Sequence, residues 1–206
     1  MPQITDIKPQ VKKPGYYNIL VDGKFALALS ELDLSSHHLK VGQQLSPSEL
    51  SDLHKAYTSS KCYNFALRYL ATRPRSIKEV EDYLTRKNFN DNDVLSAIER
   101  LVQCNYLDDT QFAKLWVENR MRLNPKSVSI LKAELIKKGI DKDIITTTLS
   151  QLSSSDQLEG LIAIVESKAR QSRYQDKQKI IEYLARKGYN YGLIKEALES
   201  TNFYQE

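Results

Sequence analysis

The sequence has few of the residues from which cofactor sites and disulfide frameworks are built. Its 206 residues include two cysteines, Cys62 and Cys104, three histidines and seven glycines. Two cysteines do not make a disulfide framework, so we expect reduced thiols and a cytoplasmic location. The histidines leave little for a zinc site, and there is no phosphate-cradling loop of the G-x-G-x-x-G or Walker type. These absences exclude most cofactor-dependent enzymes, and we expect neither a cofactor nor a metal.

Long apolar runs and a strong charge bias are also lacking. The densest apolar run, Leu161 to Val165, is far below the roughly 20 residues of a membrane-spanning helix. The N-terminus does not have the basic start and apolar run of a secretory signal, so we expect no membrane partner. Lys plus Arg number 30 against 26 Asp plus Glu, and the whole excess lies within residues 61–150. This mild bias permits contact with a polyanion without proving it.

Residues 1–45 are predicted to form strands and turns. Asp22-Gly23 separates two β-prone stretches, 16–20 and 25–29, which is a strong hairpin signal because both turn positions need a positive φ. Residues 4–7 are a candidate third strand. Alternation places five apolar residues of the hairpin on one face, namely Ile19, Val21, Phe25, Leu27 and Leu29.

A helix is predicted after this segment. Ser46 is its expected N-cap, Pro47 its first residue and Glu49 the partner in a capping box. We expect this helix to run from about 47 to 60 and to link the hairpin to the rest of the chain.

From residue 61 onward the periodicity is helical, and one pattern occurs three times. The first copy comprises Ser76, Val80, Leu84, Phe89, Val94, Ile98 and Leu101. Positions 51 residues further on hold Ser127, Leu131, Leu135, Ile140, Ile145, Leu149 and Leu152. Positions 100 residues beyond Val80 to Ile98 hold Ile180, Leu184, Tyr189, Ile194 and Leu198. Apolar residues thus match apolar residues in every copy.

Helix boundaries recur in the same way. Arg86-Lys87, Lys137-Lys138 and Arg186-Lys187 each precede Asn or Gly, which is typical of a helix C-terminus. Capping boxes are expected at Ser76 with Glu79 and at Asp108 with Gln111, and Asn124-Pro125 is expected to begin the middle helix of the second copy. Each copy also has an upstream helix, near 61–72, 109–122 and 156–173.

The predicted fold is therefore mainly α, with three tandem three-helix repeats in an elongated array after a small N-terminal β-hairpin segment. The expected divisions are the hairpin extension with its linking helix at 1–60, then repeats at 61–107, 108–153 and 154–206. Repeat arrays of this build are mostly binding proteins, so we favour binding over catalysis.

Four candidate sites have simpler structural explanations. Asp108-Asp109 is more readily explained by helix capping than by acid–base or metal chemistry. His37-His38 is expected to be a surface pair, and Cys62 and Cys104 structural thiols. For Trp116 we favour a core anchor over a surface on which nucleic-acid bases stack.

A set of basic residues is the remaining candidate for partner binding. Arginines crowd the inter-helix turns of the first two repeats, where a planar fork of donors suits phosphate or carboxylate groups. The alternative is a solvated face with cations at helix ends. The set comprises Arg73, Arg75, Arg86, Lys87, Arg120, Arg122, Lys126, Lys132, Lys137 and Lys138.

Three stretches of the chain together resemble the RecX family of bacterial RecA modulators. The first is Arg73-Pro74-Arg75-Ser76 followed by Glu79-Val80-x-x-Tyr83-Leu84-x-Arg86-Lys87. The second is Tyr106-Leu107-Asp108-Asp109-x-x-Phe112-Ala113-x-x-Trp116-Val117-x-x-Arg120, and the third is Asn124-Pro125 with Glu134-Leu135-x-x-Lys138-Gly139-Ile140. With Arg186-Lys187-Gly188-Tyr189 they cover about residues 61–200. Asn88, Asn105 and Asn124 stand where the family often has Gly.

The resemblance implies a regulator of recombination and DNA repair. Members are cytoplasmic tandem three-helix proteins that bind RecA and RecA filaments on single-stranded DNA, in the filament groove or at its growing end. They restrain RecA ATP hydrolysis, strand exchange and co-protease activity, and they have no catalysis of their own. We expect a monomer with at most weak direct DNA contact. The alternative is a stand-alone DNA-binding protein of helix-turn-helix-like units.

Overall fold

The computed structural model describes residues 1–201 as a small sheet followed by ten helices. The strands are β1 (Ile4–Pro9), β2 (Tyr16–Val21) and β3 (Lys24–Ser30). The helices are α1 (Glu31–Ser36), α2 (Pro47–Leu70), α3 (Ile77–Thr85), α4 (Asp91–Gln103), α5 (Asp109–Leu123), α6 (Val128–Lys137), α7 (Lys142–Ser150), α8 (Ser154–Ala169), α9 (Lys177–Arg186) and α10 (Tyr191–Glu199). A short 3-10 helix, Ser172–Tyr174, precedes α9. The last five residues of the predicted third repeat lie outside the described chain.

The chain divides into two compact units. The first unit comprises residues 1–72 and 83–103, and the second comprises residues 73–82 and the described chain from Cys104 onward. The division passes through α3, whose two halves belong to different units. The limits of the predicted repeats stay predictions.

The first unit begins with an antiparallel sheet of order β1-β2-β3. Asp22 and Gly23 have φ values of 49° and 75°, which confirms the predicted two-residue turn. The buried face carries Ile4, Ile19, Leu27 and Leu29. Phe25, predicted on this face, is 59% exposed, so that part of the prediction was wrong. A bulge opposite Ile19 and Leu20 adds one residue to β3 and turns Phe25 to the other face.

Helix α2 corrects the predicted break near residue 60. It runs without interruption from Pro47 to Leu70, and its N-terminus has the predicted capping box of Ser46 and Glu49. No Gly or Pro occurs between residues 48 and 73, so nothing in the chain ends the helix where the prediction placed its end. The helix packs against both the sheet and α4, and thereby joins the hairpin segment to the first helical repeat.

The second unit contains two cores, each enclosed by three helices. Leu131, Leu135 and Ile145 belong to the core of α5, α6 and α7. The core of α8, α9 and α10 includes Leu161, Leu184 and Ile194. These residues occupy the i, i+4 positions that the repeat pattern identified as apolar faces.

The start of α6 differs from the prediction. The helix begins at Val128, and Ser127 is its N-cap because the serine side chain accepts from the Ile130 amide. Asn124 instead ends α5 with a φ of −160°, so Asn124-Pro125 lies in the connection and does not begin the helix. Asn88 and Asn105 have φ values of 61° and 57°, a left-handed conformation that Asn adopts more readily than most residues other than Gly.

The matched serines of the repeat make matched contacts in the second unit. Ser76 Oγ donates to the carbonyl oxygen of Lys138 at 2.7 Å, and Ser127 Oγ donates to that of Lys187 at 2.6 Å. Each serine also accepts from the amide three residues on, at the start of α3 or α6. Each serine hydroxyl therefore forms hydrogen bonds with an amide at the start of one helix and with a carbonyl at the end of another. Both serines are buried.

A glycine permits each of these close approaches. Gly139 and Gly188 have φ values of 77° and 78°, at the ends of α6 and α9. A Cβ on Gly188 would lie 2.7 Å from Ser129 Oγ, and a Cβ on Gly139 would collide with the Lys78 side chain. Both the conformation and the space thus require glycine.

We predict that Ser127→Ala lowers the free energy of unfolding by about 1–3 kcal/mol, because it leaves both the Ile130 amide and the Lys187 carbonyl without their hydrogen-bond partner. Urea denaturation of the full chain measures the change. Ser155→Ala, an exposed position in the first turn of α8, is the matched control and should change it by under about 0.5 kcal/mol. Equal effects of the two substitutions would contradict the double role of Ser127.

Candidate partner-binding site

The ten predicted site residues belong to both units. Arg86 and Lys87 lie at the end of α3 in the first unit, where Lys87 Nζ stands 5.7 Å from the centre of the Tyr83 ring. The other eight lie in the second unit. Arg122, Lys132 and Lys137 are exposed there, while Arg75, Lys126 and Lys138 are partly buried. The structure therefore separates the set into exposed cations and partly buried ones.

Glu79 is the centre of the first such contact. Its carboxylate accepts from Arg73 at 2.9 and 3.2 Å and from Lys138 Nζ at 2.6 Å. It also accepts from the Ser76 amide at 3.3 Å and so completes the predicted capping box of α3. The Glu79 side chain is only 16% exposed. Arg73 and Lys138 therefore stabilise the junction of α3 and α6 in addition to any role toward a partner.

The same contacts change the acidity of Glu79. Burial by itself raises the pKa of the carboxyl, but hydrogen bonds from Arg73, Lys138 and the Ser76 amide outweigh it and lower the pKa to about 2. The carboxylate is consequently ionised at every physiological pH.

Trp116 is fixed by a second carboxylate. Its indole N–H donates to Glu134 Oε2 at 2.8 Å, and Arg120 Nε donates to the same oxygen at 2.8 Å. The Arg120 guanidinium and Lys138 Nζ lie 4.7 and 4.8 Å from the Trp116 ring centre. The ring also packs on Phe112. Trp116 is thus an anchor of the core, as favoured from the sequence, with one edge held by a polar network.

An apolar cavity of about 280 Å³ lies beside this ring in the second unit. Leu115 and Leu123 on its wall are 42% and 75% exposed. Its lining comprises Arg73, Pro74, Phe112, Leu115, Trp116, Asn119, Arg120, Leu123 and Asn124. The cavity therefore offers an apolar surface between two arginines, which suits an apolar side chain flanked by acidic groups.

The acid pair proved to be two helix caps. Asp108 accepts from the amides of Thr110 and Gln111 at the start of α5. Asp109 accepts from the Ile77 amide at 2.9 Å and so caps α3, which lies far away in sequence. Burial raises the pKa of Asp109. Capping was predicted, but the helix that Asp109 caps was not.

The other candidates lie apart from the cavity. His37 and His38 are exposed at the end of α1. Cys104 is exposed and Cys62 is buried, where burial raises its pKa to about 11. Within residues 1–201 no cluster of His, Cys, Asp and Glu is arranged to hold a metal ion. None of the helices in that range is long and apolar enough to cross a membrane.

The sequence did not identify two acidic residues, Glu79 and Glu134, as partners of the basic residues and Trp116. Glu134 was quoted only as part of a motif, and Glu79 only in a motif and as a capping residue. Yet Glu79 holds two cations, Arg73 and Lys138, and Glu134 holds Arg120 together with the Trp116 indole. The i, i+4 and i, i+3 spacings do not bring Glu134 to Trp116 or Arg120, because those residues lie on another helix. The pairing arises only when α5 packs on α6.

Comparisons with known proteins match the whole helical part of the chain. The family model described as the first three-helix domain of RecX matches residues 62–101, that of the second matches 108–149, and that of the third matches 155–198. The Regulatory protein RecX of Lactobacillus johnsonii is 34% identical over 194 residues, which are 92% of this chain and 71% of that protein. The Bacillus subtilis protein of the same name is 33% identical over 207 residues, covering 98% of this chain and 78% of its own.

Two solved structures of RecX proteins are similar to this chain. A crystal structure of regulatory protein RecX has a TM-score of 0.80 and covers 97% of this chain and all of its own, and at 24% identity it shows the fold alone. The crystal structure of RecX from Lactobacillus salivarius is 31% identical with a TM-score of 0.64, and it covers 70% of this chain and 96% of its own.

We predict that Glu79→Gln lowers the free energy of unfolding by about 2 kcal/mol at pH 7, because Arg73 and Lys138 lose a shared carboxylate. Since the pKa falls from 4.5 to about 2 on folding, the stabilisation is complete above about pH 4.5 and is lost as the pH drops toward 2. Urea denaturation at pH 7, 4 and 3 should therefore show a difference that shrinks with acidification. Glu166→Gln, at an exposed site on α8, is the control. A difference that is independent of pH would refute the assignment.

Proposed function

This chain belongs to the RecX family, and from that premise we propose that it binds RecA and RecA filaments on single-stranded DNA and inhibits their activities. The inhibited activities are ATP hydrolysis, strand exchange and co-protease action, and the effect serves regulation of recombination and DNA repair. The succession of three RecX domains over residues 62–198 carries this proposal. The protein acts as a monomer in the cytoplasm, by binding and without catalysis of its own.

The cavity beside Trp116 is the proposed centre of the contact with RecA. Its exposed leucines, Leu115 and Leu123, supply apolar area that a partner side chain can cover. Arg120 uses its Nε on Glu134, which leaves its terminal nitrogens available to a carboxylate of the partner. An apolar contact bordered by charge-assisted hydrogen bonds is typical of the central part of a protein interface.

The exposed cations complete the proposed surface. Arg122, Lys132 and Lys137 are exposed and can meet acidic groups of RecA or phosphates of its DNA, whereas Arg73 and Lys138 also support the fold through Glu79. Arg75, Arg86, Lys87 and Lys126 remain candidates for the same role. Contacts with phosphate would make binding depend on salt.

The alternative, a stand-alone duplex-binding protein, is less well supported. In helix-turn-helix proteins the recognition helix meets the bases. The corresponding helices here are α4, α7 and α10, and their only basic residues are Arg100, Lys142 and Lys195. Arg100 is stacked on Tyr63, with 4.1 Å between the guanidinium carbon and the ring centre. These helices therefore lack the basic surface that entry into a groove needs.

The test is RecA ATP hydrolysis on single-stranded DNA with this protein titrated in. We expect inhibition at amounts well below the RecA concentration, which would indicate blocking of the filament end, and no effect from a heat-denatured sample. Inhibition only near equimolar amounts would indicate coating of the filament groove. No inhibition in excess, together with tight binding to DNA without RecA, would favour the stand-alone DNA-binding alternative.

A single substitution tests the proposed contact surface. We expect Leu123→Ser to raise the concentration for half-inhibition of the RecA ATPase about tenfold, because the partner would lose an apolar contact at the cavity rim. Leu123 is 75% exposed, so the fold should tolerate the change. Leu95→Ser, at a 58% exposed position of the first unit, is the matched control and should inhibit like the unaltered protein. Equal inhibition by both variants would exclude the cavity as the contact.

A further inference from the structure

A basic cleft lies within the first unit, between the sheet and α2. Its volume is about 450 Å³, within the roughly 300–1,000 Å³ of typical ligand sites. One wall is the connection between β1 and β2, and the other is a single face of α2. The four cations on its wall are Lys12, Lys13, Lys61 and Arg68. All four are exposed.

These cations have no neutralising partners. The ion pairs found among residues 1–201 all involve other basic side chains. Asp33 is the single acid of the lining, and its carboxylate accepts from Ser30 Oγ at 2.7 Å at the start of α1. The cleft therefore has a local positive potential.

Aromatic rings lie among the cations. Tyr16, Tyr57 and Phe65 are part-buried members of the lining. Lys13 Nζ and Lys61 Nζ each lie 5.8 Å from a ring centre, of Tyr16 and Tyr57 respectively. The cleft thus combines point charges that suit phosphates with flat apolar surfaces that suit bases.

A polar side chain fixes this arrangement. Asn64 Nδ2 donates to the Tyr16 hydroxyl at 3.1 Å and to the Ser60 carbonyl at 2.9 Å. The first bond joins α2 to Tyr16 at the start of β2, so the two sides of the cleft are tied together at this point. A site held in this way loses little conformational freedom on binding a ligand.

We propose that this cleft binds a short stretch of single-stranded DNA directly, with the lysines and Arg68 on phosphates and the rings against bases. Duplex DNA is a poorer fit, because its bases are stacked on one another and closed to the rings. An acidic protein segment would meet the cations but would leave the rings without planar partners. The site is separate from the contact proposed for RecA, and binding does not require RecA.

The first experiment measures anisotropy of a fluorescein-labelled oligothymidylate of 15 nucleotides with the full chain and no RecA, at 50 mM salt. We expect K12E/K13E to weaken binding at least tenfold and to reduce the slope of log K against log salt by about 1.4, since each lost phosphate contact removes about 0.7. K24E/K40E makes the same charge change at exposed positions of the first unit outside the cleft, and it should stay within about twofold.

Two further probes separate the possible ligands without altering the protein. An abasic oligonucleotide of equal length and charge should bind several-fold more weakly, because it cannot stack. Polyglutamate at the same charge concentration should compete poorly. Unmeasurable binding of the oligothymidylate, equal loss in both double variants, equal affinity for the abasic strand, or full competition by polyglutamate would each overturn the proposal. Because RecA is absent, failure of the RecA proposal leaves these results unaffected.

Discussion

The second unit depends on hydrogen bonds made by a buried serine hydroxyl at each junction between successive repeats. At Ser76 and again at Ser127, the oxygen accepts from the first turn of its own helix and donates to the last carbonyl of the next repeat's middle helix. The positive end of one helix dipole is thereby placed against the negative end of another. The glycines that follow Lys138 and Lys187 leave the space for that approach.

The same junction explains why the corresponding residue of the third repeat can differ. Asp176 caps α9 by accepting from the Gln178 amide at 2.8 Å. An ionised carboxylate has no proton to donate, so it caps its own helix and cannot reproduce the serine's second bond. Serine therefore stands where one middle helix meets the next, and aspartate stands where only the cap is required.

The charged clusters of the molecule differ in how far they are neutralised. In the second unit Glu79 and Glu134 each accept hydrogen bonds from two side chains, so part of the basic set serves the packing of α3, α5 and α6. In the cleft of the first unit the cations lack such partners. The surface around Trp116 in the second unit is therefore mainly an apolar cavity. The cleft in the first unit is instead defined mainly by its positive charge and its aromatic rings.

Most of the local structure follows from the amino-acid sequence alone. The Asp22-Gly23 turn, the caps at Ser46, Ser76 and Asp108, and the helix ends at Asn88 and Gly139 follow from conformational preferences of a few neighbouring residues. The period of the apolar residues likewise identified three helical copies and most of their buried positions. Such signals are readable because their causes lie within one or two helical turns.

Packing between the elements determines which distant groups meet. The bulge that exposes Phe25 and the capping of α3 by Asp109 both depend on contacts between elements. The partners of Trp116 and the assembly of Lys12, Lys13, Lys61 and Arg68 around one cleft depend on them as well. Residues separated by tens of positions become neighbours through packing. Neither local conformational preference nor residue spacing predicts such contacts.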